Sequence, residues 1–288
     1  MANIAFLGTG LLGGAFAEAA AGRGDEVTVW NRSAAKARAL AGFGITVAAT
    51  AAAAVRGATR VHLVLKDDAV VDAVIEAARA ELAADAVLVD HSTTLPAWTA
   101  ARAARLAGEG INYLHAPVFM TPQAARTAKG SMLVSGPRAV FDAVAADLAA
   151  MTGRLEYQGE RSDLAAAKKL FGNALILSLS ATLADMLSLA QATGVEAQAA
   201  IDVAQLFDLN GMVAARGGGM ARGNFTPSFE LAMARKDLGL MLDTAAGRSL
   251  AVLPGIAACM DQLIAVGHGA DDVSILAKHA LGGRDGAA

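Results

Sequence analysis

The first half of the chain alternates short apolar runs with longer mixed stretches. Residues 4–7, 27–30, 61–65, 87–90, 113–116 and 132–135 are rich in β-formers. Between them lie alanine-, leucine- and charge-bearing segments of helical character, such as 33–41 and 68–82. Strand and helix repeated in this order predict a parallel sheet covered on both faces. The runs do not alternate apolar with polar residues, as expected for strands buried on both sides.

The pattern changes near Gly159. From Ser162 onward β-type runs nearly vanish. Ser162 or Asp163 can cap a helix, and no proline interrupts the chain until Gly194, a suitable residue just past a helix end. That helix would hold about 30 residues and span roughly 45 Å. It is apolar on most faces, so burial is expected, partly by another subunit. Further helices are expected at 195–206, 227–247, 254–266 and 272–281. The class of structure therefore changes at about residue 160.

Composition narrows the function. The chain has 288 residues, 55% hydrophobic and 18% charged, with a net charge of −3. It can bury a sizeable core and is not of disordered type. Acids and bases are interspersed, so neither nucleic acid nor a membrane surface is an expected partner. The single Cys259 excludes an intramolecular disulfide and a cysteine-built metal site, and the five histidines lack ligand spacing, so no metal is expected. A reducing, cytoplasmic setting fits these features. The opening run lacks the cationic start of a signal peptide. The uncharged stretch 170–184 reads as too short and too rich in small residues to span a bilayer.

Chemistry enters with "FLGTGLLGG". Gly8, Gly10 and Gly13 form G-x-G-x-x-G after the first expected strand and at the opening of a helix. The first glycine permits the turn, the second admits a pyrophosphate, and the third lets helix and strand pack closely. With Thr9, Leu11 and Leu12 they form the expected cofactor turn. The end of the second strand sets the cofactor variant. It reads "VWNRSAAK", with Asn31 where NAD-selective sites usually carry an acid. Asn31 does not repel a 2′-phosphate, and Arg32, Ser33 and Lys36 can bind one. NADP(H) is therefore favoured, with NAD(H) as the lesser option. Leu65, closing the third run, joins the expected cofactor contacts.

A second constellation is "AAAKKLFGN". Lys169 and Asn173 stand four apart on the expected long helix and so share a face. A lysine on an otherwise apolar helix is costly to bury, and desolvation lowers its pKa toward the range of a general acid or base. The plain alternative is a surface lysine, the reading adopted for Lys168.

Taken together, these segments resemble the β-hydroxyacid dehydrogenase family, which includes 3-hydroxyisobutyrate dehydrogenases and glyoxylate/succinic semialdehyde reductases and is related to 6-phosphogluconate dehydrogenase. "FLGTGLLGG" and "VTVWNRS" resemble its cofactor motifs. "VDHSTTLP" resembles the segment whose threonine approaches the nicotinamide, here Thr93. "HAPV" resembles the start of the substrate loop. "AKKLFGN" carries the K-x-x-x-N pair, which implies Lys169 as the catalytic lysine and Asn173 as the substrate-orienting amide. "NFTPSFELAMARKDLGLML" implies Lys236 beside the cofactor, and "GHGADDVS" matches a further segment. The resemblance implies a doubly wound α/β Rossmann domain at 1–160 joined to an all-α domain at 161–288. The second domain would hold the long interdomain helix and serve the substrate cleft and oligomerisation.

Two departures bear on function. Family members usually continue the substrate loop as proline-valine-serine-glycine-glycine, whereas this chain reads "APVFMTPQAARTAKG". Aligned from the left, Phe119 and Met120 replace serine and glycine. Aligned from Gly130, Thr121 replaces the serine and keeps its hydroxyl. Phe119 can also form an apolar pocket wall. The glycines expected before the catalytic helix are replaced by "ERSDLAAA". The implied reaction is hydride transfer between NADP(H) and a small β-hydroxy acid or its aldehyde or keto counterpart, with Lys169 as general acid/base, in a homodimer or homotetramer. Two rivals stand beside it: an imine reductase of the same architecture, and an NADP-binding sensor or interaction protein without turnover.

Overall fold

The structure is a computed structural model that describes residues 2–281. The end of the expected helical domain, 282–288, lies outside the described residues. Nine strands form one sheet: β1 (Asn3–Leu7), β2 (Glu26–Trp30), β3 (Thr46–Val47), β4 (Arg60–Leu63), β5 (Val87–Asp90), β6 (Asn112–His115), β7 (Val118–Phe119), β8 (Ser131–Ser135) and β9 (Arg154–Gly159). The order β3-β2-β1-β4-β5-β6 is parallel throughout. Chain direction across the sheet reverses at β1, which lies between β2 and β4. This is the switch point at which α/β sheets open a crevice for ligands.

Alternate residues of each inner strand feed two cores. On β1, Ile4 and Phe6 join one cluster, while Ala5 and Leu7 join the other. The six expected runs all form strands. Three strands, β3, β7 and β9, escape notice in the sequence. β7 has only two residues, and β9, "RLEYQG", carries alternating charge. The expected parallel sheet is present, with one local exception: β8 runs antiparallel to β6 and β7 and parallel to β9. The return from β7 to β8 needs no long crossover, so an antiparallel pairing is available to it.

By contacts the chain divides into two compact units, Met1–Asn173 and Ala174–Ala288. The division falls inside the helix Leu164–Thr193, whereas the change from sheet to helices comes where β9 ends at Gly159. That helix is 30 residues long, and Gly194 follows it at φ +69°. Its start is fixed without the missing glycines. The Asp163 carbonyl accepts from the Ala167 amide, the Ser135 hydroxyl donates to the Ser162 carbonyl, and Ser135 accepts from the Ala165 amide.

Within the single chain this helix is covered only in part. Ala165, Ala166 and Ala190 are buried, but Phe171, Leu175, Ile176, Leu177 and Leu179 are exposed, Phe171 to 70%. By length and composition the helix passes as a candidate membrane span. It also carries Asp185, whose carboxylate accepts from the backbone amides of Ala251, Val252 and Leu253. Those bonds cap the helix Leu253–Ala265, which packs on Leu231–Thr244 around Leu231, Leu238, Met260 and Leu263. The segment 272–281 forms a 3₁₀ helix, Val273–Leu281. Before it, Asp272 accepts from the amides of Ser228, Phe229 and Ser274.

Polar groups also enter the sheet's interior. His62 and His91 stack with ring centroids 5.2 Å apart, between Phe6 and Phe16. Burial pulls His91 down to about 4 and His62 well below its ordinary 6.5. Both rings are therefore neutral when folded, whereas the unfolded chain protonates them below about 6.5. Stability is expected to fall as pH drops from about 6.5 toward 4, by about 1.4 kcal/mol per pH unit for each histidine. Urea titrations across this range measure the slope, and His62→Leu should reduce it by about one proton's worth.

Candidate active site

The glycine turn follows β1 directly. Gly8 has φ +103°, and a Cβ there would overlap the Val64 carbonyl oxygen. A Cβ on Gly13 would overlap the Gly8 carbonyl. These two approaches seat the helix Leu11–Gly22 on the turn, and its first residues point amides outward. Gly10 has open space where its Cβ would stand, and Leu11 is 84% exposed beside it. The Thr9 hydroxyl is buried and lacks a partner among the described residues. An open cradle, outward amides and an orphaned hydroxyl fit a dinucleotide pyrophosphate.

Asn31 ties this turn to the end of β2. Its Oδ1 accepts from the Thr9 amide at 3.1 Å, and its Nδ2 donates to the Ser33 carbonyl at 3.0 Å. The sequence pointed to Asn31 for its missing charge; the structure adds that it braces the turn. Arg32, Ser33 and Lys36 are all exposed on the same short segment. Ser33 precedes the helix Ala34–Arg38 without using its side chain as a cap, so its hydroxyl is available.

Thr93 is exposed in the loop after β5, and both sides of that loop are pinned. Ser92 donates its amide to Asp90 at 2.9 Å, and its hydroxyl accepts from the Leu65 amide at 3.0 Å. On the other side the Leu95 amide donates to Asp68. Asp68 in turn pairs with the buried Arg102 at 2.9 Å, and Arg102 also binds Asp72. Burial works to raise the Asp90 carboxyl, but His115 and Ser92 hold it below its ordinary range, and Tyr113 donates to it at 2.9 Å. Asp68, Asp90, Ser92 and Arg102 do not stand out in the sequence. Acids, a base and a hydroxyl among apolar neighbours are common on surface helices and become specific only once burial is known.

The third group gathers around Lys169. Its Nζ donates to the Val118 carbonyl at 2.8 Å and lies 4.1 Å from the centroid of the Phe119 ring. Lys169 is half-buried, and burial pulls its ammonium below the ordinary lysine value of 10.5. Lys168 is exposed and bonds Gln158. Asn173 is half-buried one turn beyond Lys169. Gly172 was not singled out by sequence, yet a Cβ there would lie 2.6 Å from Phe119 Cε1. Thr121 is exposed, and its hydroxyl caps the helix Pro122–Arg126 by accepting from Ala124 at 3.1 Å. Lys236 lies in the second unit, exposed and paired with Asp237 at 2.7 Å. Among the described residues no cluster of acids, histidines and cysteine could hold a metal.

The segments that follow the strands thus collect at one sheet edge: the glycine turn after β1, Leu65 after β4, Thr93 after β5, and the 118–119 strand after β6. A doubly wound sheet with this edge defines an NAD(P)-binding oxidoreductase fold. Residues 3–159 match the NAD-binding domain of 6-phosphogluconate dehydrogenase, and residues 164–280 match the NAD-binding domain of NADP-dependent 3-hydroxyisobutyrate dehydrogenase. The chain belongs to the β-hydroxyacid dehydrogenase family.

The 3-sulfolactaldehyde reductase of Escherichia coli is 28% identical, over 85% of this chain and 84% of that protein. The L-threonate dehydrogenase of Cupriavidus necator is 30% identical, over 67% of this chain and 66% of that protein. The structure of an imine reductase from Streptomyces aurantiacus superposes with a TM-score of 0.85 at 29% identity, covering 96% of this chain and 99% of that one.

Asn31→Asp keeps the acceptor for Thr9 but places a negative charge where a 2′-phosphate would lie. It is expected to weaken NADPH binding by at least about 10-fold, equivalent to about 1.4 kcal/mol, with NADH binding changed less. Fluorescence titration with both nucleotides checks this.

Proposed function

We propose that this chain is an NADP(H)-dependent oxidoreductase that interconverts a small hydroxy compound and its aldehyde or ketone, with Lys169 moving the proton. The observation that carries this reading is the Lys169 ammonium, fixed by the Val118 carbonyl at 2.8 Å and depressed in pKa by burial. The bound nicotinamide supplies or accepts the hydride. Lys169 donates a proton to the carbonyl oxygen in reduction and withdraws it from the hydroxyl in oxidation. Asn173, on the next turn, orients that oxygen through its amide. Gly8, Thr9, Gly10, Leu11, Leu12 and Gly13 hold the pyrophosphate. Leu65 and Thr93 line the approach of the nicotinamide, and Lys236 is taken as a further cofactor contact.

The NADP preference rests on Arg32, Ser33 and Lys36, all exposed and without an acid among them. A homo-oligomer is part of the reading, because the apolar residues 175–179 of the long helix need cover. A reducing, cytoplasmic setting suits the exposed Cys259 thiol.

Reduction of an imine is a second reading, supported by the likeness to the S. aurantiacus enzyme. Lys169 argues for the carbonyl. A protonated imine is cationic, and an ammonium within reach repels it, whereas a carbonyl oxygen gains a donor.

Lys169→Ala should retain NADPH affinity and lose at least about 100-fold in turnover of carbonyl substrates. Titration and steady-state rates measured on one preparation test both halves. In the wild type the rate of reduction should fall as pH rises through the lysine pKa, with a midpoint below 10.5, and the reverse reaction should rise over the same range.

A further inference from the structure

The contacts around Phe119 go beyond proton transfer and bear on the substrate; the inference rests on the oxidoreductase reading above. A lysine ammonium has three protons to give. One is held by the Val118 carbonyl at 2.8 Å, and one side of the group faces the Phe119 ring at 4.1 Å. What remains can serve a single oxygen atom. The ring cannot withdraw toward the helix, because it already rests against the bare backbone of Gly172, where a Cβ would stand 2.6 Å from its Cε1. Gly130 fixes the segment from the other side, since a Cβ there would come within 2.7 Å of Met120 Cβ and of the Phe119 carbonyl oxygen.

A carboxylate needs several donors to leave water. The segment beside Lys169 is poor in them. Phe119 offers an apolar ring, Met120 a thioether, and Pro122 has no N–H. Thr121 offers one O–H, but its oxygen is held at the end of the helix Pro122–Arg126 by the Ala124 amide. The aromatic face has the sign that favours a cation and disfavours an anion laid on it.

We infer that Phe119, braced on Gly172 and laid over the Lys169 ammonium, is a specificity-determining residue that admits uncharged aldehydes and ketones and turns away substrates that carry a carboxylate. Discrimination of this kind comes as much from unmet polar groups in the wrong ligand as from contacts with the right one.

Succinic semialdehyde and its methyl ester differ in one charge and form the test pair, assayed with NADPH on the full chain. The wild type is expected to favour the ester in kcat/KM by at least about 10-fold, the consequence of about 1.4 kcal/mol. Phe119→Ser should move the acid-to-ester ratio toward the acid by a similar factor. Gly172→Ala, which drives the ring from its seat, should move the ratio in the same direction, and Phe119→Leu, which keeps the apolar bulk but loses the aromatic face, should move it less than Phe119→Ser. Calorimetric titration of the NADP⁺ complex with succinate gives a readout free of turnover: binding by Phe119→Ser and not by wild type is expected.

A wild type that prefers the acid, or a ratio unmoved by both Phe119→Ser and Gly172→Ala, overturns the role given to Phe119. Failure of the wild type to reduce either aldehyde while it binds NADPH overturns the oxidoreductase reading instead. The succinate titration then still decides whether the ring excludes carboxylates.

Discussion

Three places where backbone meets its neighbour with no room for a β-carbon set the geometry on which the rest depends. Gly8 lies against the Val64 carbonyl, Gly13 against the Gly8 carbonyl, and Gly172 against the Phe119 ring. The first two let the helix Leu11–Gly22 begin immediately above the end of β1, with its amides free for an anion. The third lets an aromatic ring lie close to the long helix and reach the Lys169 ammonium. Each would be forfeited by a single methyl group. The first two, set against backbone carbonyls, constrain the fold more tightly than an ordinary core position, where a neighbouring side chain can shift; at Gly172 the neighbour is a ring that a methyl group would displace.

A second level of order supports these contacts. The loop that bears Thr93 has little apolar packing of its own, yet it is held by Asp68, Asp90 and Ser92, with Arg102 behind them. The network is hydrogen-bonded except at Arg102 Nη1, which lies 3.7 Å from Asp90, and such buried networks favour one arrangement because most alternatives strand further charges or donors. The imidazoles of His62 and His91 act differently. Kept neutral by burial, they stack as flat, weakly polar plates within an apolar face. The charged network around Asp90 lies on the face of Leu7 and Leu63, whereas the rings lie on the face of Phe6, which also buries Arg60 against Asp147.

Much of this was legible in the sequence. The six β-type runs, the glycine spacing and the proline-free stretch ending at Gly194 have local causes, so their elements appear where the pattern puts them. The short strands β3 and β7 arise from pairing with distant partners, which leaves no local signature. The direction of β8 has no local signal either: an apolar run states that it is buried, not which way its neighbour points. Phe171 and Leu175 are exposed in the single chain, because composition gives the need for cover and not its source. Around Lys169 the sequence marked the lysine and the odd loop separately. Only the fold brings Phe119 over the ammonium and shows that Gly172 makes the space.

The sheet ends in two very different margins. On one side β3 is only two residues long, too short to template another chain. On the other, β9 displays Arg154 and Glu156, paired at 2.5 Å along its rim. Stray strand addition, the usual hazard of an open sheet, is discouraged at both borders. Any self-association of this protein is thereby directed away from backbone pairing and toward side-chain packing on helices, a mode that is reversible and responds to protein concentration.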